Sequence, residues 1–291
     1  MRTGNKYSYM VLALALIAGV AVVLTGCRLV RKTTPSVVVS IQPQRYLLEA
    51  IAGSKVEVMC LLDDESNPET YEPDMKVMMA VERSDAYFTM GTIGYELAVL
   101  SKVRSNNPDL PIINTSEGVN FIDSHDADEG DVDPHVWFSV CNAKIIAGNM
   151  YKNLVDLYPK RKTYFTKRYK ELQVKLNQMD QAFSSRLQAA SDSVFLVWHP
   201  TMSYLARDYG LHQVSLDNGK EPTVTNLREH IDLAHKSGAS VLFIQPQIDS
   251  RQASELLSEL DVRKVTVNPM SFKWEEELNK IVDALAPPVK K

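Results

Sequence analysis

The sequence predicts an α/β protein of two lobes, each built on a parallel sheet, with one long helix between them. Three observations carry that expectation. Short, near-continuous apolar runs recur along the chain, as in strands buried on both faces. Helix-type stretches alternate with them, which calls for parallel pairing through crossover connections. Finally, the stretch from about Lys160 to Ala190 holds no proline or glycine.

Taken in order, the runs of the first half are Val37–Ile41, Val56–Leu62, Ala86–Met90 and Pro111–Asn114. Those of the second half are Val194–Trp198, Gln213–Leu216, Val241–Ile244 and Val265–Val267. Helices are expected over Arg45–Ala52, Met75–Arg83, Leu227–Ser237 and Ala253–Leu260. Between the halves, Leu172, Leu176, Met179, Phe183 and Leu187 recur at spacings of three and four, an amphipathic pattern. At 1.5 Å per residue this helix would span roughly 45 Å, the width of a domain. A coiled-coil arm would also fit the pattern, but the α/β segments on either side favour a strut lying across two lobes. The expected divisions are a leader over 1–26, a tether over 27–35, a first lobe over 36–157, the linking helix over 158–190 and a second lobe over 191–291. No solenoid-type repeat and no low-complexity tract is visible.

The start of the chain is a targeting segment. Arg2 and Lys6 precede the uncharged run Met10–Leu24, which ends in Leu-Thr-Gly-Cys at Cys27. A basic start, an apolar middle and small residues before the cut describe a signal peptide. The run is shorter than the roughly 20 residues that cross a bilayer comfortably. Its ending resembles the bacterial lipobox, in which the cysteine, here Cys27, becomes the lipid-bearing first residue. An ordinary export signal or a tilted anchor helix is the alternative. Removing residues 1–26 takes away two of the 32 Lys+Arg, leaving 30 against 36 Asp+Glu, a net charge of −6. That acidic balance gives no reason to propose nucleic-acid binding, which wants a basic face. Cys60 and Cys141 lie far apart with no metal-knuckle spacing, and both a disulfide and two buried free thiols remain open.

In open parallel sheets, ligands bind beyond the carboxyl ends of the strands. Four ligand-capable residues follow such ends. Glu69 lies in the turn Asn-Pro-Glu-Thr-Tyr-Glu-Pro (67–73), where two prolines keep the backbone out of a helix. His135 follows the fourth run, His199 directly follows Val194–Trp198, and Asn268 closes the last run. Two imidazoles, a carboxylate and an amide oxygen make a first shell for a divalent transition metal. Singly, each has an ordinary structural reading: a hydrogen-bonded histidine, a solvated glutamate, a turn-forming asparagine.

Several motifs in one order extend this reading: SIQPQRYLLEAIAGSKVEV, NPETYEPDMKVMMAVERSDAYFTMG, DPHVW followed by NAKIIAGNM, WHPTMSYLARDYGL, EPTVTNL and FIQPQIDSRQASEL. With them the chain resembles the zinc/manganese-binding lipoproteins of bacterial ABC importers (ZnuA/TroA-like) from Val37 onward. The resemblance implies two (β/α)4 lobes bridged by a backbone helix, with the metal in the interlobe cleft. It implies that His135 and His199 are ligands. Two positions depart from the family pattern: Glu69 stands where histidine is usual, and Asn268 where aspartate is frequent. A carboxylate is harder than imidazole and an amide oxygen is a weaker, neutral donor, so the site is expected to be altered. Its shell still carries −1, through Glu69. Tyr71, Glu72, Glu221 and Gln247 are implied to act behind the ligands, and Gln245 replaces a frequent glutamate.

Other signals are weaker. The acidic loop Asp123–Asp133 fails the EF-hand pattern, since Gly130 is misplaced and the twelfth position counted from Asp126 is Trp137, not glutamate. It reads as a solvated loop with His125 its only histidine. His230 and His235 are five apart and do not share a helix face. No phosphate-binding or nucleophile-elbow motif occurs.

The expected function is therefore an exported, lipid-anchored monomer that captures Zn²⁺, Mn²⁺ or Fe²⁺ outside the cytoplasmic membrane. It would hand the ion to an ABC permease and turn nothing over. Zinc would be the metal of a purified sample, since affinity at a given N/O site rises from Mn²⁺ to Zn²⁺. Binding should weaken below about pH 6.5, because imidazole must be neutral to coordinate. The alternatives are a zinc-dependent hydrolase with Glu72 as base, a receptor for a larger iron or haem chelate, and a degenerate site that holds no metal.

Overall fold

The computed structural model describes residues 34–286, apart from 65, 67, 69–70, 124–131, 191–192, 217–235, 237 and 247–260. All eight expected strands form. In the first sheet they are β1 (Ser36–Val39), β2 (Glu57–Cys60), β3 (Ala86–Thr89) and β4 (Ile112–Asn114), in the order β2-β1-β3-β4. In the second they are β5 (Val194–Val197), β6 (His212–Ser215), β7 (Val241–Ile244) and β8 (Arg263–Thr266), in the order β6-β5-β7-β8. Every pairing between these eight strands is parallel. The two sheets thus share one plan: the second strand lies on one side of the first, and the third returns to its other side. That reversal opens a crevice beyond the carboxyl ends of β1 and β3, and of β5 and β7.

The runs became strands because they are buried on both faces. Val37, Val38 and Val39 are fully enclosed, and so are Ala86, Tyr87 and Phe88. Helices cover them: α1 (Gln42–Ala52), α2 (Met75–Glu82), α3 (Gly94–Asn106), α4 (Val140–Leu157) and α5 (Lys162–Leu187). α6 (Ser203–Tyr209) and α7 (Trp274–Leu285) follow in the second half. α1 begins three residues earlier than Arg45. Pro43 is preorganised for a first turn, and the Gln44 side chain accepts the otherwise orphaned Ser40 N–H at 2.9 Å. α2 and α4 start on side-chain caps, Asp74 to the Val77 N–H (2.7 Å) and Ser139 to the Asn142 N–H (2.9 Å). The expected helices over 227–237 and 253–260 lie outside the described residues, except for Lys236, which is helical.

The linking helix α5 runs for 26 residues, with a 3₁₀ turn at each end. Leu172, Leu176, Phe183 and Leu187 are buried and Met179 is partly so, matching the expected stripe. Phe165 extends it by one more buried position. This stripe joins one continuous core that reaches from Val37 to Val282, so both sheets share a hydrophobic interior. α5 is therefore a packed strut. Among the described residues, no helix is long and apolar enough to cross a membrane.

Candidate metal centre

The two histidines meet. Their ring centres lie 5.4 Å apart with the planes at 78°. Two imidazoles on one tetrahedral ion, with bonds of about 2.0–2.1 Å, put their ring centres roughly 5 Å apart. The observed spacing fits a shared cation.

His199 gets there directly, two residues beyond β5, where the chain turns and the Thr201 N–H donates to the His199 carbonyl at 2.8 Å. His135 needs more help, because it sits in a loop 21 residues after the end of β4. Asp133 aims it: one carboxylate oxygen accepts both from the His135 backbone N–H and from ring Nδ1, each at 2.9 Å. With Nδ1 occupied, Nε2 is the nitrogen left for a metal. Burial pushes the Asp133 carboxyl up, but the His135 ring, the His135 N–H and the Ser203 hydroxyl outweigh it and hold the group below its usual range. It therefore stays ionised.

The loop itself is fastened on three sides. The Thr92 hydroxyl donates to the Pro134 carbonyl (3.0 Å), and the Tyr204 hydroxyl, from the second half, donates to the Asp133 carbonyl (2.7 Å). Asn142 Nδ2 donates to the Val136 carbonyl (3.0 Å). Trp137 packs edge-on against His135, and its Nε1–H donates to the Pro269 carbonyl at 2.9 Å. In return the Trp274 Nε1–H donates to the Trp137 carbonyl at 2.8 Å. These bonds bring the turn at 268–270 to the His135 loop.

Asn268 is held within that turn. Its Oδ1 accepts the Met270 N–H (2.9 Å), and its Nδ2 donates across the cleft to the Asp64 carbonyl (2.8 Å). The amide is engaged at both ends, and Oδ1 keeps one lone pair. Asp64 lies just before the 67–73 turn, so Asn268 ties the second half to the segment that leads to Glu69. Glu69 itself lies outside the described residues, as do Glu221, Gln247 and Cys27. The Tyr71 hydroxyl donates to the Leu61 carbonyl (2.6 Å) and its ring meets Tyr95 edge-on. Glu72 is exposed and Gln245, just past β7, is half-buried. Among the described residues, no group of three or more His, Cys, Asp or Glu side chains could hold a metal ion. Cys60 and Cys141 are free thiols; burial raises Cys60 to about 12.

Two supports escape a reading by sequence. Asp133 is one of many acids in its loop, and its only signal is a carboxylate two residues ahead of a histidine. Glu96 gives none. It is buried beneath the first crevice, where Ser40 and the Met90 and Gly91 N–H groups (2.7 Å each) bond its carboxylate. Gly91 has φ of +84°, and a Cβ there would meet Asn114 Oδ1 at 2.5 Å, so only glycine fits this turn.

The family model of zinc-uptake complex component A, periplasmic (ZnuA), matches residues 37–286. The chain belongs to this family. Among curated members it is 26% identical to the high-affinity zinc uptake system protein ZnuA of Bacillus subtilis, over 84% of this chain and 81% of that protein. It is 25% identical to the zinc-binding lipoprotein AdcA of Streptococcus pneumoniae over 83% of this chain, and there it spans about half (51%) of the relative's length. Among solved structures, a ZnuA deletion mutant with zinc bound aligns with a TM-score of 0.80 and 27% identity, covering 87% of this chain and 99% of that one. The two parallel sheets and the long helix are thus the architecture of the family.

Proposed function

We propose that this protein is the extracytoplasmic receptor of an ABC importer and that it captures one divalent transition metal between its lobes. The observation that carries the reading is the meeting of His135 and His199, one from each half, with Asp133 leaving Nε2 of His135 available. Glu69 supplies the charged oxygen ligand from the rigid 67–73 turn, and Asn268 or water completes the shell. Tyr71, Glu72, Glu221 and Gln247 stand behind these ligands. The cargo is Zn²⁺, Mn²⁺ or Fe²⁺, and Zn²⁺ binds tightest at such a site.

In the same reading, residues 1–26 are removed and Cys27 carries lipid. Residues 27–35 form a tether, 36–157 and 191–291 the two lobes, and 158–190 the strut between them. The protein works as a monomer, hands its ion to a permease and catalyses nothing. The continuous core around α5 restricts closure to a small movement, so release proceeds through the loops.

Calorimetry with Zn²⁺, Mn²⁺ and Fe²⁺ tests the reading. Stoichiometric binding that Glu69→Ala weakens at least about tenfold is the expected result. An unchanged affinity in that variant would make the turn structural only, and turnover of ester or phosphoester substrates by the zinc-loaded protein would replace the receptor with a hydrolase.

A further inference from the structure

The chain is acidic overall, with 36 Asp+Glu against 32 Lys+Arg, yet residues 152–170 hold seven lysines and arginines against one acid, Asp156. They span the end of α4, the turn after it and the start of α5. Lys160, Lys162, Lys167 and Lys170 are exposed. A charged helix face is ordinarily just solvated. Here its position adds a second observation.

The segment is bolted to the amino ends of the first sheet. The Tyr158 hydroxyl donates to Asp85 Oδ2 at 2.8 Å, and the same oxygen accepts the N–H of Ser36, where β1 begins. The Arg161 guanidinium lies over the Tyr158 ring and donates to the carbonyl of Lys55, two residues before β2. Arg168 donates to the Ala50 carbonyl at 2.8 Å, and both Arg168 and Lys55 sit over the Tyr164 ring. Gly53, at φ of +52°, allows this close approach, since a Cβ there would collide with the Tyr164 hydroxyl. Asp85 is engaged by Ser36 and Tyr158, Glu171 lies 4.0 Å from Lys167 Nζ one turn further on, and Glu57 and Asp156 are the other acids beside the cluster. The basic face therefore lies where the tether joins the fold. The metal-binding residues follow the opposite, carboxyl ends of the strands.

The tether Cys27–Pro35 adds Arg28, Arg31 and Lys32 and no acid. Nine residues reach at most about 30 Å, so a lipid on Cys27 keeps this face close to the bilayer. Clusters of four to eight basic residues at that distance bind anionic headgroups, and half-buried tyrosines such as Tyr158 and Tyr164 suit the interface. We propose that the basic face around Lys160–Lys170 is a docking surface for anionic phospholipid. It holds the receptor on the membrane by the amino ends of the first sheet, with the metal site turned away. The setting rests on the lipid-anchored reading; the charge pattern does not.

The test uses protein without lipid, residues 27–291 carrying Cys27→Ser, sedimented with vesicles. Binding to phosphatidylglycerol-containing vesicles, little binding to pure phosphatidylcholine, and loss at high salt are expected. Lys160→Gln, Lys162→Gln, Lys167→Gln and Lys170→Gln combined should weaken binding at least about tenfold. The matched set Lys76→Gln, Lys102→Gln, Lys236→Gln and Lys264→Gln should weaken it far less. No binding by the parent protein, equal losses in the two sets, or tighter binding to duplex DNA than to vesicles would overturn the proposal. Zinc titration of the same samples reads the metal site separately, so a failure there counts against the receptor and not against this surface.

Discussion

His135 and His199 reach one point by different routes, and the difference shows what each half of the molecule contributes. His199 is aimed by a sheet. It leaves β5 almost at once, and the buried strand fixes where the chain emerges. His135 is aimed by Asp133 beside it and by bonds from its loop to more distant parts: Thr92 from the turn after β3, Tyr204 from α6 and Asn142 from α4. One imidazole is built into the framework, and the other is placed by a set of hydrogen bonds.

Removing either ring tests whether the two are equal partners. His135→Ala and His199→Ala should each cost at least about a hundredfold in metal affinity by calorimetry, since each removes a nitrogen proposed to coordinate the ion. A large loss in only one variant would break the symmetry of the site.

Asp133→Asn separates the two routes, because of the two histidines its carboxylate bonds only His135. It should weaken metal binding by about 10- to 100-fold, the usual consequence of losing the carboxylate behind a ligating histidine. In a His135→Ala background the same change should do little, and a full additional loss would mean that Asp133 acts some other way.

Asn268→Ala should lower stability by roughly 1–2 kcal/mol in urea unfolding, through the lost Met270 and Asp64 bonds, and should reduce metal affinity less than either histidine variant does.

The smallest effect concerns Glu96, beneath the first crevice. Burial raises its carboxyl above the ordinary 4.5, against the hydrogen bonds from Ser40, Met90 and Gly91. A raised acid binds its proton more tightly in the folded state, so its contribution is greatest below the unfolded value and declines as pH rises through the folded one. Unfolding free energies measured from pH 4 upward should decline less steeply for Glu96→Gln than for the parent protein; identical slopes would show that Glu96 titrates normally.

Much of this architecture was legible because its signals are local. Continuous apolar runs such as Val37–Ile41 mark strands buried on both faces, and the stripe from Leu172 to Leu187 marks the strut. His199 was legible for the same reason, as a ligand-capable residue at the end of such a run. His135 stood out through its motif. What fixes it did not, because Tyr204 lies 71 residues from Asp133 and the Trp137–Pro269 bond spans 132. Asn268 was visible as a possible ligand, whereas its role in tying two segments 204 residues apart appears only once the chain is folded. Glu96 carried no pattern, since an acid in the first turn of a helix is ordinary and its burial depends on how Ser40 and Gly91 pack around it.

The central claim is that one cation is held jointly by both imidazoles, and zinc K-edge X-ray absorption of the loaded protein addresses it most directly. Two histidine nitrogens at about 2.0–2.1 Å, falling to one in His135→Ala and to one in His199→Ala, is the predicted result. A spectrum with no imidazole scattering, or one that neither substitution changes, would contradict it.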